Sequence, residues 1–227
     1  FKLDSAHPFG CSHHQKLVVI DDAFAVCGGI DMTNDRWDTR EHLDNHPGRK
    51  EPNGKLYGPW HDTTMLMEGS VAGALAELAR DRWVTAGGEP LAPCPTASES
   101  AWPEFVEADY HDVTLGIART RAAYQDADEI REIETLFIEQ IKRAKSFIYA
   151  ENQYFASRKI SEAIAKRMAE PSPPEIIIVN PANADGWLEQ KAMDSARVQL
   201  LRSIGAHDPQ DRFSIFIPYT AGGTPIY

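Results

Sequence analysis

An α/β fold is what the sequence predicts, and three observations carry that expectation. Residues 17–20 read Leu-Val-Val-Ile, a continuous apolar run of the kind found in a strand buried on both faces. Residues 71–84 place apolar side chains at helical spacing and stop before Gly87-Gly88. Beyond residue 112, apolar runs alternate with helical periodicity, which implies a layered half built on a mainly parallel sheet.

The first strand is led in by Ser12-His13-His14-Gln15-Lys16. His14 and Lys16 are two residues apart, so in an extended chain their side chains leave the same face and can reach one ligand. Asp21 and Asp22 end the run in a turn, and residues 23–26 return, giving a hairpin over 16–27. Gly28 and Gly29 follow, where bare backbone N–H groups could approach a phosphate. These residue types suit attack on a phosphate ester, with a neutral imidazole as nucleophile and an ammonium balancing phosphoryl charge. That chemistry requires neither metal nor cofactor. Asp21 fits two roles, a supporting acid or a turn residue.

Residues 32–60 are polar and rich in charge, Gly and Pro, and read as a long surface excursion. His42 and His46 read as loop residues within it, and Asp38 as either a solvated carboxylate or a group that orients the His14 imidazole. Pro59-Trp60-His61-Asp62 opens a strand over 63–68, with His61 either a pocket residue or a structural histidine. Residues 89–103 contain four prolines without periodicity, so a linker over 89–108 divides a first half, 1–88, from a second, 109–227. In the second half, strands are expected over 113–118, 146–150, 175–179 and 213–217, and helices over 130–144, 160–168 and 187–201. Glu151-Asn152-Gln153 follows a strand and would lie at the carboxyl edge of the sheet, where α/β sites form. The amides of Asn152 and Gln153 could donate to phosphoryl oxygens or hold a catalytic side chain.

The net charge of −11, with no Lys/Arg-rich run, argues against a nucleic-acid groove and against tight docking on anionic lipid. Cys11, Cys27 and Cys94 are odd in number and unrelated in spacing, which gives neither a disulfide framework nor a zinc site. No run approaches the ~18 apolar residues of a membrane span.

The pattern His14-x-Lys16-x4-Asp21-x6-Gly28-Gly29-x-Asp31 resembles the signature of the phospholipase D superfamily. Asp31 stands where many members carry Asn, and this resembles the branch of eukaryotic-type phospholipases D and transphosphatidylases. Arg36-Trp37-Asp38, Pro59-Trp60-His61-Asp62 and Glu151-Asn152-Gln153-Tyr154-Phe155 resemble further elements of that branch. The resemblance implies a layered α-β-α sandwich of two pseudo-symmetric halves, both incomplete in this chain, which runs from just before the first motif to just before the second.

It further implies a phosphodiesterase acting on glycerophospholipid head groups at a membrane surface through a phosphohistidine. Catalytic roles fall to His14, Lys16 and Asp21, and pocket or supporting roles to Gly28, Gly29, Asp31, Asp38, His61, Glu151, Asn152 and Gln153. A cytoplasmic or peripheral membrane location is favoured, and by itself the chain is expected to be close to inactive. The alternatives are a superfamily nuclease, which the acidic balance disfavours, and a non-catalytic lipid-binding module.

Overall fold

The computed structural model describes residues 1–95, 100, 102–182 and 197–227. The chain is mixed α/β and divides into two compact units, one of residues 1–33 and 62–130, the other of residues 34–61 and 131–227.

In the first unit, β1 (Lys16–Ile20), β2 (Phe24–Gly28) and β3 (Thr64–Glu68) form an antiparallel sheet in that order. The β1–β2 hairpin pairs Lys16 with Gly28 and Ile20 with Phe24. Its turn places Asp21 and Asp22 at φ 52° and 56°, the two left-handed positions that a tight hairpin matching strand twist requires. Asp22 is then fastened to helix α1 (Ser70–Thr85), since the Arg80 Nη1 atom lies 2.8 Å from both of its carboxylate oxygens.

Strand β1 departs from the expectation of two-sided burial. It lies at the edge of the three-stranded sheet and is half-buried, with Leu17 and Val19 packing on Ala25, Met67, Ala72 and Leu75. The apolar residues on its other face are covered only in part, which a continuous apolar run cannot reveal.

In the second unit, β6 (Phe147–Glu151), β7 (Glu175–Val179) and β8 (Phe213–Phe216) form a parallel sheet in the order β6-β7-β8. Helices α2 (Glu132–Arg143), α3 (Arg158–Met168) and α4, residues 197–205, accompany it. The core joins Ile141, Ile164, Met168, Ile176, Ile178 and Ile204. Ser157 caps α3, its hydroxyl accepting from the Ile160 N–H at 3.4 Å.

Two short strands, β4 (Thr120–Arg121) and β5 (Ile130–Arg131), precede α2. The strand expected over 113–118 does not form. Val113, Leu115 and Ile117 are exposed, and an alternating pattern makes no strand without a partner to pair with. Most of the helix expected over 187–201 lies outside the described residues.

Residues 34–61 carry no regular element, yet they are not a bare surface excursion. Arg49 is 1% exposed, and residues 59–61 run beside Tyr227: the Tyr227 N–H donates to the Pro59 carbonyl at 3.2 Å, and the His61 N–H to the Tyr227 carbonyl at 2.6 Å. No helix among the described residues is long and apolar enough to cross a membrane.

Candidate functional site

In the first unit, the residues before β1 alternate as an extended chain does. His13 pairs with Asp4 at 3.1 Å, Gln15 accepts from Arg82 of α1, and Leu17 packs into the core beside the helix. By the same alternation His14 and Lys16 belong to the opposite face, as their spacing requires. Lys16 opens β1, and its side chain is only 10% exposed. Its ammonium donates to the His14 carbonyl at 3.1 Å and lies 3.1 Å from the Asp31 carboxylate. The His14 side of the chain is solvent-exposed.

The two glycines also have a local packing role. A Cβ on Gly28 would lie 2.5 Å from the Thr63 carbonyl oxygen and the Thr64 Cα, so glycine is required for β2 and β3 to approach here. Gly29 gives its N–H to the Thr63 carbonyl at 3.1 Å, and an added Cβ there would meet the Asp62 carboxylate, which would have to turn aside.

Asp21 sits in the turn at the far end of β1. Five residues of strand separate it from Lys16, about 16 Å at 3.3 Å per residue, so it cannot share a ligand with that ammonium. Its φ of 52° belongs to that turn.

In the second unit, Glu151 closes β6 at the carboxyl edge of the parallel sheet. Its Oε1 accepts from the Tyr149 hydroxyl at 2.7 Å and its Oε2 faces His61 Nε2 at 2.8 Å. The Tyr149 hydrogen bond, joined by that from His61, holds the Glu151 carboxyl below its usual range against partial desolvation, while the same bond raises the Tyr149 phenol. Asn152 uses its backbone, donating to the Val179 carbonyl at 3.0 Å, and Gln153 Nε2 donates to the Tyr227 hydroxyl at 3.3 Å.

Asp38 is 3% exposed and heavily engaged. Its Oδ2 faces His42 Nδ1 at 3.0 Å, Arg49 Nη1 at 3.1 Å and the Trp60 N–H at 2.9 Å, and its Oδ1 accepts from the Thr39 N–H at 2.8 Å. Burial works against its charge. The hydrogen bonds of His42, Trp60 and Thr39, with the Arg49 charge, outweigh that and hold the carboxyl below its usual range. The imidazole that Asp38 is seen to hold is therefore His42.

Four residues that sequence reasoning assigned to no site matter here, His42 among them, which it read as a loop residue. His42 links Asp38 to His61, its Nε2 lying 3.2 Å from His61 Nδ1. Arg49 neutralises Asp38 and donates to the carbonyls of Leu43 and Asp44. Asp44 binds the hydroxyls of Thr220 and Thr224 and, at 3.1 Å, the Gly222 N–H. Asn180, 1% exposed, follows β7 and ties the strand ends together. Its N–H donates to the Phe216 carbonyl of β8 at 2.9 Å, and its amide nitrogen to the carbonyl of Asn152, just past β6. The only signal for Asn180 was a polar residue closing an apolar run. Among the described residues, no group of three His, Cys, Asp or Glu side chains is arranged to hold a metal ion.

Comparisons with known proteins agree on one relationship. A family model described as phospholipase D matches residues 2–177. The chain is 29% identical over 201 residues to a phospholipase D alpha 1 of Vigna unguiculata, covering 66% of this chain and 25% of that protein. It is 30% identical over 196 residues to a phospholipase D alpha 1 of Arabidopsis thaliana, covering 63% of this chain and 24% of that protein. With a phospholipase D1 of Saccharomyces cerevisiae it shares 26% identity over 213 residues, 70% of this chain and 13% of the relative. The chain thus spans a quarter or less of the length of these relatives.

Proposed function

Since the chain belongs to the phospholipase D family, we propose that it carries the nucleophilic half of a phosphodiesterase that cleaves or transfers glycerophospholipid head groups. The observation that carries this reading is the position of the Lys16 ammonium, 3.1 Å from the His14 carbonyl and 3.1 Å from Asp31, at the start of a strand whose face His14 shares.

In this reading a neutral His14 imidazole nitrogen attacks the phosphodiester phosphorus. The bond to the head-group oxygen breaks, and that oxygen takes a proton from a second histidine, which the family supplies from a second motif copy. The product is a phosphohistidine, resolved when water or another alcohol gives its proton to that second histidine and attacks phosphorus, breaking the bond to the His14 nitrogen. Lys16 balances the charge on the non-bridging oxygens, and Asp31 holds that ammonium in place. The fold that suits this is the layered α-β-α sandwich of two pseudo-symmetric halves.

The test is intact-mass spectrometry, under denaturing and non-acidic conditions, of a polypeptide containing both motif copies after mixing with phosphatidylcholine. A phosphatidyl adduct on the wild type and none on His14→Asn is the expected result. Turnover without any adduct on His14 would move the nucleophile to the other motif. A neutral nucleophile and a protonated acid also require a bell-shaped pH–rate profile, and a monotonic one would count against the assignment.

A further inference from the structure

Asp38, His42, His61 and Glu151 form a continuous line of hydrogen bonds within the second unit, at 3.0, 3.2 and 2.8 Å. Its two ends are carboxylates, which only accept hydrogen bonds. The nitrogens facing them, His42 Nδ1 and His61 Nε2, must therefore both carry hydrogen. The central contact, His42 Nε2 to His61 Nδ1, needs one hydrogen more. Two neutral imidazoles carry one N–H each, two in all, whereas this line requires three.

We propose that His42 and His61 share one extra proton between the Asp38 and Glu151 carboxylates, and that this bound proton closes the centre of the line that runs from segment 34–61 to the carboxyl end of β6. Moving the central hydrogen from His61 Nδ1 to His42 Nε2 transfers the positive charge from one ring to the other without breaking the line. Adding a fourth hydrogen sets two N–H groups against each other, and removing the third sets two lone pairs against each other. Either change breaks the line at its centre, between the two rings.

The surrounding groups favour one cation. Arg49 faces Asp38 and balances it, the Tyr149 hydroxyl faces Glu151, and Glu41 lies close enough to His42 and His46 to act on it electrostatically. Asp38 is closed off at 3% exposure, while His61 and Glu151 are 48% and 42% exposed. The proton therefore enters and leaves at the His61 end. The inference needs only the geometry of the second unit and stands apart from the proposed chemistry of His14.

The experiment is nitrogen-15 NMR of the histidine-labelled chain, with His42 and His61 assigned by single His→Gln variants. At neutral pH the expected pattern is three protonated ring nitrogens over the two residues, with the central hydrogen bond lost on both acid and alkaline titration. Glu151→Gln, whose amide can donate to a neutral ring, should reduce the three to two. It leaves Asp38 and Arg49 untouched, and circular dichroism checks its fold. Two neutral rings in the wild type, or a His61 pattern unchanged in His42→Gln, would overturn the proposal. The wild-type spectrum decides alone if the variant does not fold.

Discussion

Arg49 and Gly28 show how single residues of opposite character hold each unit together from within. Arg49 is enclosed with its counter-ion, so truncation leaves the Asp38 carboxylate buried without its cation. By the usual penalty for breaking a buried pair, Arg49→Ala should cost about 3–5 kcal/mol in urea unfolding. A loss near that of an exposed pair, about 0.5 kcal/mol, would show that water reaches Asp38. Gly28 is constrained by space. An added methyl meets backbone atoms of β3, which cannot turn aside as a side chain can, so Gly28→Ala should cost about 1–3 kcal/mol. The same measurement on Gly54→Ala separates the steric effect from a backbone one, since Gly54 has open space around it but a φ of 85°.

Among the elements, the turn over residues 220–224 depends on a single carboxylate. Asp44 takes both threonine hydroxyls and the Gly222 N–H, and those hydroxyl bonds, from Thr220 first, hold its carboxyl below the usual range. Asp44→Ala should raise amide exchange at Gly222 and Thr224 while leaving β6, β7 and β8 protected. Uniform acceleration across the unit would instead make the clamp part of the global fold. The strands of that sheet were legible in the sequence because residues 175–179 and 213–216 carry their own apolar pattern. So was the β1–β2 hairpin, whose turn is marked by the consecutive aspartates. Residues 113–118 misled because their alternation is local, whereas a strand depends on a partner that no local pattern names. His42 and Asp44 were illegible for a related reason. His61 lies 19 positions from His42 and Thr220 176 from Asp44, and nothing in a polar loop announces which distant ring or hydroxyl it will meet.

For the molecule as a whole, acid should be the more damaging extreme. Asp38, Asp44 and Glu151 all have lowered folded-state pKa values, so each contributes stability that is present above the unfolded carboxylate range and lost as pH falls through the folded value. Relief of self-repulsion as the net charge of −11 is neutralised works the other way, but it is spread over the surface and weakened by salt. Calorimetry between neutral pH and about pH 3 should show a falling thermal midpoint, with a shallower fall in Asp44→Asn; a rising midpoint would mean that repulsion dominates. The division of the chain also sets an order in time. Segment 34–61 is synthesised well before the residues it packs with, and Thr220 follows Asp44 by 176 positions, about 10–35 s at a ribosome's ~5–20 residues per second. During that wait the segment can already match its buried charges, for Arg49 lies 11 positions from Asp38. That ion pair can form on the nascent chain and keep the future buried charges matched until the rest of their enclosure has been made.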